Sequence, residues 1–278
     1  MANHQFLKLD IKVDDAFVTK FSEMYVKQRS ETNFDYSTLD QSVLFQKNGF
    51  DSTVLEKIIT KNSVAVDLIR ESNQKHKTVI TDIYRSDLGE LLMTYFFEEK
   101  LDVNEQFRIP LKNITNRELA GQPGRGLDAV GYRVDNSRVK LFLGEAKVSH
   151  EMKNPPQVVD YSRDSIYETQ LKFKNNKELL INRLSDYSRK LSANDAEKIG
   201  LVIVLMEFDR DSEYDIVFGC SLIRDIHCVK TNEDFGKFYT QQTDFEPHQI
   251  TFCILNMDDN IANTIDLFYQ KVQEFCKQ

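Results

Sequence analysis

The chain has little of what zinc, thiol or histidine chemistry needs. Its four cysteines, Cys220, Cys228, Cys253 and Cys276, all fall in the last third and form no CxxC pair, which speaks against a zinc site or a disulfide framework. Cys220 and Cys253 sit inside apolar runs and read as small core residues. The five histidines are scattered, with no HExxH or other closely spaced ligand pair, so neither zinc chemistry nor a Ser-His-Asp or Cys-His mechanism has local support. No stretch approaches the roughly 18–20 uncharged apolar residues that a membrane span requires. The opening residues, MANHQFLKLDIKV, lack a basic segment followed by an apolar one, so no secretory signal is visible. No internal repeat or low-complexity tract appears. The expectation is a soluble, cytoplasmic, globular protein with no membrane association.

What is present is a chain of 278 residues, 41% apolar and 29% charged, long enough for one large domain or two small ones and too apolar for disorder. The formal charge of −8 argues at first against nucleic acid, because phosphate binding wants Lys and Arg. Divided along the chain, that charge becomes −5 over residues 1–106, +6 over 107–190 and −9 over 191–278. A basic island thus lies between acidic flanks. The flanks imply weak, salt-sensitive binding of nucleic acid by the chain alone.

Periodicity outlines the elements. Phe6 to Val13 alternates as a strand, and Asp14-Asp15 then open a helix with Phe17, Val18, Phe21 and Tyr25 on one side. Residues 33–51 read as loop and about 52–72 as helix with a break near Asn62-Ser63. A helix from about Ser86 to Lys100 carries the stripe Leu88, Leu91, Leu92, Tyr95 and Phe96. Phe107–Leu111 is a short strand, and Asn113–Arg125, with Gly121, Pro123 and Gly124, is a loop. Strands follow over Leu127–Val134 and Val139–Lys147, helices from Pro155-Pro156 to about Leu191, and strands over Tyr214–Ile223 and Gln249–Asn256. The apolar run Gly200–Phe208 reads as a strand covered on both faces, and Asp258–Phe275 closes the chain as a helix. The order predicts an α/β fold with a mixed sheet and a mainly helical N-terminal region, divided as residues 1–78 and 79–278.

The chemistry is concentrated in the segment from Arg125 to Lys147. A two-residue turn at Asn136-Ser137 makes it a hairpin, and cross-strand partners then have numbers that add to 273. Asp128 falls opposite Glu145 on one face, with Lys147 two residues further on that same face. Two carboxylates so close are costly unless compensated, and a divalent cation would compensate them. Asp and Glu oxygens suit Mg²⁺ or Mn²⁺, which also take water and phosphate oxygens. Lys147 would orient an attacking water or stabilise developing charge. Gly144 and Gly126 would admit a phosphate backbone. The plainer alternative is a surface hairpin whose Glu and Lys form an ion-pair network. Against it, Leu141, Phe142, Leu143 and Ala146 give the second strand a buried character, and buried charges need partners.

Asp128 followed by Gly144-Glu145-Ala146-Lys147 resembles the PD-(D/E)xK nuclease core, with Leu127 where a Pro is usual. Together with Arg85-Ser-Asp-Leu-Gly-Glu90, Ile109-Pro110-Leu111-Lys112 and Gly124-Arg125-Gly126-Leu127-Asp128, the set resembles the HamA family, the nuclease subunit of the bacterial Hachiman anti-phage defence system, over roughly residues 80–260. The resemblance implies a restriction-endonuclease-like fold and a metal-dependent DNase working with a HamB-like superfamily 2 helicase. It implies Asp128 and Glu145 as metal ligands and Lys147 as the catalytic lysine. Such cores often carry a Glu on a preceding helix; Glu90 fits that place and equally fits a helix acid beside an apolar stripe. Some relatives use a Gln on a later helix, for which Gln157, in a QxxxY pattern with Tyr161, and Gln170 are the candidates, though a solvated helix face explains both as well. Arg125, beside Asp128 in the Gly-rich loop, is a candidate phosphate contact. Two other readings stay open, a catalytically inactive nuclease-like scaffold that binds a helicase and a nuclease directed at RNA.

Overall fold

Strands β1 (Gln5–Ile11), β2 (Arg108–Lys112), β3 (Ala129–Asp135), β4 (Arg138–Ser149), β5 (Tyr214–Arg224) and β6 (Gln249–Met257) form one sheet in the computed structural model, which describes residues 3–31, 35–64, 77–116 and 126–277. The order is β1-β6-β5-β4-β3-β2. β4, β5, β6 and β1 run parallel, and β2 and β3 add antiparallel at the other edge. β4 and β5 are buried along nearly their whole length because helices cover both faces, so their sequences are continuous rather than alternating apolar runs.

The two-residue period of a strand divides the core. Phe142, Ala146 and Val148 of β4 face a layer formed by the helices Asp15–Ser30, Lys77–Tyr95 and Ile261–Lys277. Val139, Leu141 and Leu143 face a second layer formed by the helices Ile166–Asn175, Lys177–Ser188 and Ala193–Glu207. At the sheet centre Gly144 and Gly219 are register partners, and the Phe142 ring fills the space where their side chains would stand. In the first layer the fully buried Asp87 accepts hydrogen bonds from the hydroxyls of Tyr25 (3.0 Å) and Tyr269 (3.1 Å), which ties three helices from distant parts of the chain to one carboxylate.

The observed fold is the expected mixed α/β sheet flanked by helices. Residues 5–30, grouped in sequence with an N-terminal helical region, contribute the edge strand β1 beside β6 and a helix capped by the Asp14 side chain. Residues 33–51 are less loop-like than their composition suggests, with a 3₁₀ turn at Tyr36–Gln41 and a short helix at Val43–Lys47. The next helix is Ser52–Val64, and the rest of that expected element, residues 65–72, lies outside the described residues. One helical turn, Asn113–Asn116, opens the segment expected as loop, and residues 117–125 lie outside the described residues.

The run Gly200–Phe208 is not a strand. It is the C-terminal part of the Ala193–Glu207 helix, whose N-cap Ser192 accepts from the Asp195 N–H. Ile199, Val202, Leu205 and Met206 face the sheet while Leu201, Val204 and Phe208 are exposed. A short apolar run has no period to separate a buried strand from a helix, and the cap and the preceding helical residues decided it. Arg108 secures this helix to the sheet by a bidentate bond to Asp195 (2.5 and 2.7 Å), whose carboxyl is held down at about 2, chiefly by that bond.

Replacing Asp87 with Ala leaves two buried tyrosine hydroxyls without this acceptor and opens a hole among three helices. Urea unfolding is expected to show a loss of about 3 kcal/mol for Asp87→Ala and about 1 kcal/mol each for Tyr25→Phe and Tyr269→Phe. A change below experimental error in all three would show that the carboxylate does not hold the layer.

Candidate active site

The hairpin of β3 and β4 sets the geometry. Asn136 and Ser137 both adopt positive φ (50° and 66°), the two-residue turn whose twist matches that of the strands. Pairing then runs from Asp135↔Arg138 to Ala129↔Gly144, which is the register expected from the turn. One step further, the Asp128 N–H donates to the Gly144 carbonyl (3.1 Å), and the Asp128 Oδ2 accepts from the Ala146 N–H (2.8 Å). The carboxylate therefore takes the place of a ladder carbonyl at the point where β3 leaves the sheet, and this fixes it beside Glu145.

Asp128 and Glu145 are both buried, and the Lys147 ammonium lies 2.8 Å from Glu145 Oε1. Glu145 Oε2 is buried with no hydrogen-bond partner. Burial, and then the negative charge of Asp128, push the Glu145 carboxyl up to about 8, against the pull of Lys147. Burial opposes the Lys147 charge in turn, but Glu145, Asp128 and Glu90 outweigh it and hold the ammonium above its ordinary value. The centre is two acids and one base in a poorly solvated place, with one oxygen left over.

Glu90 arrives from the other layer. The Lys77–Tyr95 helix crosses β4 at Gly89, where an added Cβ would come within 2.9 Å of Val148, and that close approach brings Glu90 to the end of the sheet. Its Oε1 accepts from Ser86 Oγ (3.2 Å) and Asn113 Nδ2 (3.4 Å), and its charge acts on Lys147. Among the described residues no three His, Cys, Asp or Glu side chains stand together as a metal-holding group. Glu90 is thus not assembled with Asp128 and Glu145 into a ready trio of ligands, because it projects from the layer on the opposite face and is bonded locally.

The structure places the other candidates as follows. Gln170, on the Ile166–Asn175 helix, is fully buried and donates through Nε2 to the Leu143 carbonyl (2.9 Å), clamping that helix to β4 close to Glu145; its Oε1 has no partner. Gln157 is exposed, and its backbone N–H donates to Glu151 (2.9 Å). Arg125 lies outside the described residues. Gly144 does not open a path for a phosphate, because Ala129, Phe142 and Met93 occupy the space beside it. Gly126 (φ 101°) meets the hydroxyl of Tyr187, which is also bonded to the Leu127 backbone. Tyr187 escapes sequence reading because it is far along the chain and belongs to no motif.

Part of the basic island's charge is matched by acids that folding brings from the flanks: Arg108 pairs with Asp195, Lys112 with Glu98, Arg138 with Asp215, and Lys177 with Asp209 and Asp211. Arg133 and Lys140 share Asp135 on the face opposite the acid pair, where Arg133 stacks over Phe107. No helix among the described residues is long and apolar enough to cross a membrane.

Comparison of the chain with protein-family models matches the HamA model over residues 5–272. Comparison with curated proteins gives no match. The family match reaches well beyond the motifs, into β1 and the closing Ile261–Lys277 helix.

The raised Glu145 carboxyl has a signed consequence. A carboxyl that holds its proton more tightly when folded loses stability as pH rises from its unfolded value near 4.5 to about 8. In EDTA, Glu145→Gln is expected to melt above the wild type at pH 8.5 by a few degrees, about 1–2 kcal/mol, with the gap closing toward pH 5. Thermal melts across that range check it; a pH-independent gap would show that Glu145 titrates normally.

Proposed function

The chain belongs to the HamA family of Hachiman anti-phage defence, and on that premise we propose that it is a cytoplasmic, metal-dependent DNA nuclease effector released or activated by a helicase partner. The observation that carries this reading is the juxtaposition of Asp128, Glu145 and Lys147 at a strand end, with a buried Glu145 oxygen lacking any partner. Two hard carboxylate oxygens suit Mg²⁺ or Mn²⁺, and the orphaned Oε2 is the kind of group that such an ion satisfies. When bound, the ion would polarise a phosphodiester and lower the pKa of a coordinated water.

The remaining work belongs to this chain's own side chains. Asp128 is held in place by the Ala146 N–H, and Glu145 is held by Lys147. Loss of the Glu145 proton is a prerequisite for ligation, so binding of the ion competes with protonation near neutrality. The Lys147 ammonium, kept charged by three acids, would stabilise the negative charge that develops on phosphate oxygens during in-line attack. Gln170 positions β4 through the Leu143 carbonyl rather than reaching substrate.

The acidic flanks, net −5 over residues 1–106 and −9 over 191–278, fit a reliance on a helicase to bring DNA to the centre, and four cations of the middle segment, Arg108, Lys112, Arg138 and Lys177, are already paired with acids of those flanks.

Incubation with plasmid DNA, alone and with the helicase, in Mg²⁺ or in EDTA, separates the nuclease from the inactive scaffold. Cleavage is expected in Mg²⁺ only and is expected to fall by about 10²-fold or more in Glu145→Ala and in Lys147→Ala. Undiminished degradation by the double variant would place the site elsewhere. No cleavage with any metal or partner would leave the scaffold, and cleavage of RNA in preference to DNA would redirect the substrate.

A further inference from the structure

Beyond the carboxyl ends of β4 and β5 lies a cleft of about 400 Å³. One wall comes from the segment after β4, including Asn154, Asp160 and Tyr161; the other comes from the segment after β5, including Glu233, Lys237 and Tyr239. Arg224, the fully buried last residue of β5, donates to Asn154 Oδ1 (3.0 Å) and anchors the first wall to the sheet. Arg224 is the register partner of Ser149, two residues past Lys147, so the cleft and the acid pair share one end of the sheet. The crevice outside the carboxyl ends of parallel strands is where open α/β sheets bind ligands.

Three features of the cleft point to one ligand chemistry. Tyr161 and Tyr239 line a single opening, Tyr161 62% exposed and Tyr239 half-exposed, with the Tyr239 ring supported from behind by Phe6 and Phe235. The Lys153 ammonium lies 3.9 Å from the centroid of the Tyr161 ring, and its positive charge also acts on Asp160. Asp160 is 5% exposed, its Oδ2 accepts from the Lys237 N–H (2.9 Å), and its Oδ1 has no hydrogen-bond partner. Gly236, at φ 53°, lets the chain come close enough to form that bond, because a Cβ there would collide with the carboxylate. A fixed, buried acceptor with spare capacity asks for an N–H donor, aromatic faces ask for a flat partner, and the Lys153 ammonium beside Tyr161 offers a contact to an anion.

We propose that this cleft takes a nucleobase bearing an exocyclic amino group, with Asp160 accepting from the amino group, Tyr161 and Tyr239 flanking the ring and Lys153 meeting the attached phosphate. The base belongs either to a free nucleotide or to an unpaired strand. The strand case rests on the nuclease reading of the neighbouring acid pair, whereas base recognition itself does not.

The test uses the full chain in EDTA, so that no cleavage occurs, and follows binding by calorimetry with oligodeoxycytidine, oligothymidine, deoxycytidine monophosphate and thymidine monophosphate. The cytidine ligands are expected to bind at least tenfold tighter than the thymidine ligands. Tyr161→Ala, at an exposed side chain, is expected to weaken all of them by about tenfold. Asp160→Asn is expected to erase the preference for cytidine while melting temperature and oligothymidine affinity hold, a pattern that a purely structural aspartate would not produce. Tight binding of the monophosphate identifies a free nucleotide as the ligand, and binding of the oligomer alone identifies a strand. Equal affinity for cytidine and thymidine ligands, or an unchanged Tyr161→Ala protein, would overturn the proposal. Base discrimination in a protein that never cleaves would overturn the nuclease reading alone, and cleavage without base discrimination would overturn the cleft alone.

Discussion

One hydrogen bond organises the candidate centre: the Ala146 N–H donated to the Asp128 carboxylate. It replaces a backbone acceptor at the point where β3 parts from β4, so it both ends the strand pairing and sets a carboxylate against Glu145. The bond depends in turn on register, and register depends on the Asn136-Ser137 turn and on which faces of β4 are covered. A slip of one residue would turn Phe142 away from the Gly144–Gly219 gap and send Glu145 into the opposite layer. The packing of the core and the placement of the acids are therefore the same constraint.

The fold handles its buried acids in different ways, and the differences separate architecture from chemistry. Asp87 is satisfied by two tyrosine hydroxyls, and Asp195 by a bidentate arginine, so both are settled structural groups. Glu145 is not settled. It has one lysine, one carboxylate neighbour and one oxygen without a partner, and its carboxyl resists ionisation. Asp160 likewise keeps one oxygen unused beside an open cleft. Buried polar groups are costly to leave incomplete, which is why the proposed cation and the proposed base are assigned to these two carboxylates.

Much of this was legible before folding was known. The turn residues and alternating pattern gave the hairpin and its register, and the ladder ends at Ala129↔Gly144, one step before the Asp128–Glu145 pair that arithmetic on residue numbers had put next. Other readings failed for identifiable reasons. The run Gly200–Phe208 looked like a covered strand because a continuous apolar stretch conceals its period; in the fold it is helical, and Leu201, Val204 and Phe208 face solvent. Gly144 looked like an opening for phosphate, but the space was taken by side chains from β3, β4 and the Lys77–Tyr95 helix. The basic island is partly offset for the same reason: a charge total over a segment ignores the acids that other segments bring to Arg108, Lys112 and Arg138.

The sequence by itself determined what is local in register: the strands, the capped helices, the hairpin and the sharing of one face by Asp128, Glu145 and Lys147. These follow from the two-residue period of a strand and from turn chemistry, which act over a few residues. Only the tertiary structure decided how exposed those charges are, which acids neutralise the middle segment's cations, why Glu90 comes from the far layer, and that two tyrosines and an incompletely bonded aspartate line a cleft at the same strand end. Burial and long-range pairing depend on residues that are distant along the chain, and no local pattern encodes which of them will meet.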